Sequence, residues 1–176
     1  NGMTIQDLKI VAENEKVKEE AIEEIGLFKV LKGEEDGLRG SNVRNLNLDI
    51  NTISATAVKY VGALAGRIEG GDIENIQILG DENSLINGFN ATGGLAGKIS
   101  GDETIVTNIK SSVSIKSNMY TGPANRYSAK VDDPTHRFNL YHYSTNDEGN
   151  YISNIDEVSY AGGIAGILEA KTIDLG

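Results

Sequence analysis

The sequence predicts an all-β protein, a right-handed parallel β-helix (β-solenoid) with a short helical excursion and one large insertion. Three observations predict it. Two short phrases alternate along the chain, they return at a near-constant spacing, and the residues between them alternate apolar and polar as strands do. The first phrase, Gly-x-[Leu/Ile]-Ala-Gly-x-[Ile/Leu], is GALAGRI at 62–68, GGLAGKI at 93–99 and GGIAGIL at 162–168, with a degraded copy, GLFKVL, at 26–31. The second, [Ile/Val]-x-[Asn/Asp]-[Ile/Leu], is IQDL at 5–8, VRNL at 43–46, IENI at 73–76 and VTNI at 106–109, and ISNI at 152–155 also fits it.

Taken in order, the opening NGMTIQDLKI reads as a strand. Residues 13–25, ENEKVKEEAIEEI, are rich in Glu and Lys with Val17, Ala21, Ile22 and Ile25 at helical spacing. They are expected to form a short amphipathic helix that covers an open end of the stack or stands clear of it. GLFKVL carries Lys29 where later copies have glycine, so this copy is expected to begin or edge the stack. Asp7 to Asn45 is 38 positions, Asn45 to Asn75 is 30 and Asn75 to Asn108 is 33, while Gly26 to Gly62 is 36 and Gly62 to Gly93 is 31. Each period holds both phrases in the same order, and each coil is expected to hold about three short strands.

Read as an extended strand, GALAGRI places Leu64 and Ile68 on one side and Ala63, Ala65 and Arg67 on the other. Leu46, Leu48 and Ile50, and Ile76 and Ile78, alternate likewise. Stacking in register would line up Leu64, Leu95 and Ile164 as an apolar ladder. The asparagines would form a second ladder, because Asn tolerates the left-handed backbone of a sharp bend and its amide can bond the Asn one coil away.

The repeat is interrupted once: Gly93 to Gly162 is 69 positions, against 31 for the preceding step. An insertion over about 119–157 accounts for the difference. It holds both histidines, both prolines and five of the seven tyrosines, and RFNLYHY at 137–143 alternates like a hairpin strand. A solenoid carries specific binding on such insertions, and tyrosine supplies large amphipathic contact area. Tyr120, Tyr127, His136, Arg137, Phe138, Tyr141, His142, Tyr143 and Tyr151 are therefore the candidate partner-binding residues. The competing reading is a small core beneath the insertion.

Composition narrows the chemistry. The chain has 176 residues, enough for one domain, and a net charge of −10 with a pI near 4.6, which argues against nucleic acid and anionic membrane surfaces. It has no cysteine, which removes disulfides, a thiol nucleophile and thiolate metal sites. No apolar run approaches the ~18 residues of a membrane span, and the start lacks a charged-then-apolar signal pattern. Both ends read as strands, so the sequence is expected to be a piece of a longer protein.

His136 and His142 are six apart beside Asp132 and Asp133, without HExxH or paired ligand spacing, so no metal is expected. Asp132 with Asp133, or Glu34, Glu35 and Asp36, could serve glycan hydrolysis, although acidic turns are more often simply solvated. The GALAG phrase lacks the GKS or GKT ending of a phosphate loop, and no helix-forming stretch follows it. Neither a catalytic residue nor a cofactor is expected in this chain.

NGMTIQDLKI, GLFKVL with VRNLNLDI, VGALAGRIEGGDIENIQILG and GGLAGKI resemble the GLUG repeat. That repeat occurs in large secreted bacterial proteins, above all the immunoglobulin A1 protease family of zinc metalloendopeptidases, and also in adhesins. The resemblance covers residues 1 to about 112 and 158–176 and leaves the insertion outside. It implies a non-catalytic β-helical region of a secreted, cell-wall-associated surface protease, acting as a scaffold or positioning a glycoprotein substrate such as immunoglobulin A. Zinc would then belong to a catalytic region carrying HExxH, which this chain lacks, and other domains of the same parent would be partners. The alternative is a solenoid adhesin or glycan-binding surface protein.

Overall fold

The computed structural model describes residues 2–12, 22–34, 40–56, 58–117, 142–145, 151–154 and 160–174. Among them all regular structure is strand. In chain order these are β1 (Met3–Val11), β2 (Glu24–Ile25), β3 (Phe28–Lys32), β4 (Asn42–Ser54), β5 (Tyr60–Gly62), β6 (Ala65–Glu69), β7 (Gly71–Leu79) and β8 (Leu85–Gly88). They continue with β9 (Ala91–Gly93), β10 (Ala96–Ser111), β11 (Ser114–Ser117), β12 (His142–Thr145), β13 (Tyr151–Asn154), β14 (Tyr160–Gly162) and β15 (Ala165–Asp174). Nine strands form one sheet in the order β11-β8-β4-β7-β10-β6-β3, with β1 beside β4 and β15 beside β10. A second sheet runs β14-β9-β5-β2, and β12 and β13 form an antiparallel pair.

Every pairing in the two large sheets is parallel, and the repeat sets its register. Gly62 pairs with Gly93 and Gly93 with Gly162, while Ala65 pairs with Ala96 and Ala96 with Ala165. Farther along each coil Leu46 pairs with Ile76 and Ile76 with Ile109. Parallel strands need a crossover between them, and here one repeat of chain supplies it. The arrangement is consistent with a β-solenoid.

The core runs through the stack. Leu46, Leu48, Ile50, Ile76 and Ile78 are buried as the alternation predicts, and so are Leu64, Ile68, Leu95 and Ile99. Leu64 N–H donates to Leu95 O at 2.9 Å and Leu95 N–H to Ile164 O at 2.8 Å, so the apolar ladder forms in the expected register.

The asparagine ladder forms as well. Asp7, Asn45, Asn75 and Asn108 have φ of 53, 55, 55 and 50°, the only positive values at non-glycine residues among those described. Asn75 Nδ2 donates to Asn45 Oδ1 at 3.0 Å, and Asn108 Nδ2 to Asn75 Oδ1 at 2.6 Å. Short amides are among the few side chains that accept this backbone region, which is why the motif marks the bend.

Four expectations need correction. The Gly-x-Leu-Ala-Gly phrase is not one extended strand: the chain turns at Ala63–Leu64 between β5 and β6, so Ala63 and Ala65 are buried as fully as Leu64. This corner carries the chain from the four-stranded sheet into the nine-stranded one. The helical reading of 13–25 fails at its end, where Glu24–Ile25 is a strand paired with Tyr60 and Val61; the rest, 13–21, lies outside the described residues. Backbone pairing to β5 overrides the local helical spacing there.

The 38-residue step from Asp7 to Asn45 is not a step of the ladder. Met3 pairs with Leu46 and Leu8 with Ile50, so β1 is slid along β4 and Asp7 accepts instead from Asn51 Nδ2 at 2.7 Å. ISNI does not join the asparagine ladder either, because Tyr151–Asn154 pairs antiparallel with β12.

Candidate functional site

The sequence points to the stretch between β11 and β14. Tyr120, Tyr127, His136, Arg137, Phe138 and Tyr141 lie outside the described residues, as do Asp132 and Asp133. The backbone of the other three candidates is described. His142 and Tyr143 open β12 and pair with Asn154 and Ser153, and Tyr151 opens β13 opposite Thr145. These two strands form an antiparallel two-stranded ribbon. Its first described strand begins at His142, leaving 137–141 of the RFNLYHY stretch outside. The two β-strands flanking the candidate region are anchored: Ile115 in β11 pairs with Ile86, and Gly162 in β14 with Gly93.

Two further polar features lie on the ladder itself. The first is a recess of about 200 Å³ lined by Asp7, Asp49, Asn51, Asp81, Asn83 and Ser84. Its three carboxylates come from β1, β4 and the turn after β7, so no local motif signals it. The turn is organised by Asp81, whose Oδ1 accepts from Asn83 N–H at 2.8 Å and from the Ser84 hydroxyl at 3.0 Å. Those donors, the Asn83 N–H first and the Ser84 hydroxyl next, hold the Asp81 carboxyl below its ordinary value. Asp7 is engaged by Asn51, so two of the three carboxylates serve the chain's own turns.

The second feature is a run of charges across the outer wall. Arg67 Nη2 meets the buried Glu24 carboxylate at 2.7 Å, pairs also with Glu69, and lies 5.6 Å from the Tyr60 ring. Lys29 reaches Glu24 at 3.7 Å, Arg44 pairs with Asp72 and Glu74 at 3.2 and 3.5 Å, and Lys98 pairs with Glu169 at 2.7 Å. Most of these pairs join one coil to the next. The exposed pairs among them, such as Arg44 with Asp72 and Glu74, contribute about 0–1 kcal/mol each, whereas those of Arg67 and Lys29 end on the buried Glu24 carboxylate.

The chain has no HExxH, and among the described residues no three His, Asp or Glu side chains are grouped to hold a metal. Glu34 is exposed just after β3, and Glu35 and Asp36 lie outside the described residues. Among the described residues no helix is long and apolar enough to cross a membrane. No protein-family model, curated protein or solved structure matches this chain.

Proposed function

We propose that the chain is a right-handed parallel β-helix serving as a non-catalytic module of a secreted bacterial surface protein. Its parent is of the immunoglobulin A1 protease-like metalloendopeptidase class, and the module acts as scaffold or positions a glycoprotein partner. The observation that carries the scaffold reading is the Asn45–Asn75–Asn108 column, in which each recurring polar side chain is used to bond the next coil. A recurring motif whose chemistry is turned on its own neighbours builds length, not a reaction centre. What supports the right-handed sense is the general rule that a crossover between parallel strands of one sheet is right-handed in about 98% of cases. The protease context rests on the GLUG-like phrases alone.

The open reading frame tests the parent. An HExxH segment with a more distant glutamate in the same frame supports the protease reading, and a frame without one sinks it. Retention of immunoglobulin A1 on the immobilised chain would support partner positioning. Retention of free glycans in a frame lacking HExxH would make the module an adhesin instead.

A further inference from the structure

One asparagine of the stack stands outside the ladder and has a different neighbour. The ladder residues Asn45, Asn75 and Asn108 are followed by Leu46, Ile76 and Ile109. Asn87, half-buried in β8, is followed by Gly88, and this is the one Asn-Gly step with both residues among those described. The glycine is required there. A Cβ at Gly88 would stand 2.2 Å from Thr92 Oγ1 and 3.0 Å from Val61 Cβ, so β5 and β9 leave no room for a side chain.

An Asn-Gly step carries its own chemistry. Glycine has no Cβ to hinder its backbone nitrogen, which can attack the asparagine side-chain carbonyl once the chain is free to turn. At Asn87 the Gly88 nitrogen loses its proton and bonds to Cγ, the Cγ–Nδ2 bond breaks, and ammonia departs to leave a cyclic imide. Water then opens the ring. Cleavage at Cγ gives aspartate with the backbone unchanged, whereas cleavage at the Asn87 backbone carbonyl gives isoaspartate, whose chain runs through Cβ and Cγ and is longer by a carbon. Ring closure needs Asn87 to leave the extended backbone of β8, and the stack holds it there. Asn87 pairs with Ser54 on one side and Lys116 on the other, and its carbonyl accepts from Ala55 N–H at 2.8 Å. Just beyond Gly88 the Ser117 hydroxyl donates to Phe89 O and Asn90 O at 2.9 and 3.0 Å.

We infer that Asn87 is a spontaneous deamidation site, closed while β8 is paired and open when this coil opens, and that isoaspartate there bars β8 from pairing again. The longer backbone would push Gly88 out of the tight space beside Thr92 and Val61. It would also put a free carboxylate where the Asn87 carbonyl takes the Ala55 N–H. A passing local opening thus becomes a permanent loss of the coil. Coils of a solenoid depend on their neighbours, so β4 and β11 lose support as well. The inference rests on the pairing of β8 and not on the protease reading.

Timed incubation of the full chain in mildly alkaline buffer, folded or in urea, tests it. Peptide mapping by mass spectrometry follows the mass gained at Asn87, and enzymatic methylation of isoaspartate separates the two products. The unfolded chain should deamidate at Asn87 at least about tenfold faster than the folded one, in which only the opened fraction reacts. Once urea is removed, molecules carrying isoaspartate should fail to recover the native melt, while Asn87→Asp, which is the other product, should refold. Asn87→Gln, which closes a ring far more slowly, should refold fully after the same incubation. Equal rates in the folded and unfolded chain would overturn the protection, and isoaspartate molecules that regain the native melt would overturn the bar to pairing. Failure of Asn87→Asp to refold would place the effect in the charge, and equal loss in Asn87→Gln would trace the damage to another residue; either would overturn the inference.

Discussion

Asn108 donates its side-chain N–H to the Asn75 side-chain oxygen across one coil at 2.6 Å, and both residues hold left-handed backbone, with φ of 50 and 55°. One residue type thus answers two demands at once. The bend needs a side chain that tolerates positive φ, and the stack needs a donor and acceptor pointing along its axis.

Substitution of Asn75 separates those demands. Asn75→Gly keeps the backbone and loses the ladder bonds to Asn45 and Asn108, at a cost of about 1–2 kcal/mol. Asn75→Ala loses the bonds and also strains the bend, by a further ~1 kcal/mol or more. Urea unfolding midpoints should therefore fall in the order native, Gly variant, Ala variant. A Gly variant less stable than the Ala variant would remove the backbone from the account.

Thr92 is fully buried in the column between Val61 and Ala161, and its hydroxyl oxygen has no hydrogen-bond partner. Thr92→Val replaces that hydroxyl with a methyl where the neighbouring coil already holds valine. Removing an unsatisfied buried polar group should stabilise the protein by about 1 kcal/mol. A raised melting temperature is the expected reading, and a lowered one would mean that the oxygen is bonded after all.

Asp81 gives the stack an acid limb. Its folded carboxyl is held below the ordinary value by Asn83 N–H and the Ser84 hydroxyl, whereas the unfolded group titrates near pH 4. A group depressed in the folded state contributes stability that is present above its unfolded value and lost as pH falls through the folded one. The difference in unfolding midpoint between native protein and Asp81→Ala should thus be largest near neutrality and shrink below about pH 4. A difference that is flat with pH would assign the effect to turn geometry alone.

Deleting 119–157 and bridging with a short linker should leave a folded protein with a cooperative melt, because the described strands on either side, β11 and β14, each pair with the previous coil. Ile115 is set by Ile86, and Gly162 by Gly93. Loss of cooperativity would show that the stretch belongs to the core.

Much of this fold was legible because its strongest constraints are local. Positive φ admits few residue types, so Asn45, Asn75 and Asn108 marked their own bends, and the spacing between them set the register of β4, β7 and β10. The corner at Ala63–Leu64 was not legible as a corner, since Gly-x-Leu-Ala-Gly satisfies strand alternation as well as it fits a turn with buried residues on both sides. The slide of β1 was hidden for a different reason. Asp7 keeps the motif and the left-handed φ, but its pairing is set by contacts along the whole of β4. The acidic recess is assembled from three coils, and only stacking brings Asp7, Asp49 and Asp81 together.

The pairing of Gly162 with Gly93 joins two points 69 positions apart, where the step from Gly62 to Gly93 spans 31. For a flexible connection, closing the longer loop costs only about 0.7 kcal/mol more, because the entropy of closure grows with the logarithm of length. The delay is kinetic more than thermodynamic. The coil carrying β14 and β15 has the longer search to its partner, so its pairing to β9 and β10 should form after the β5–β9 step.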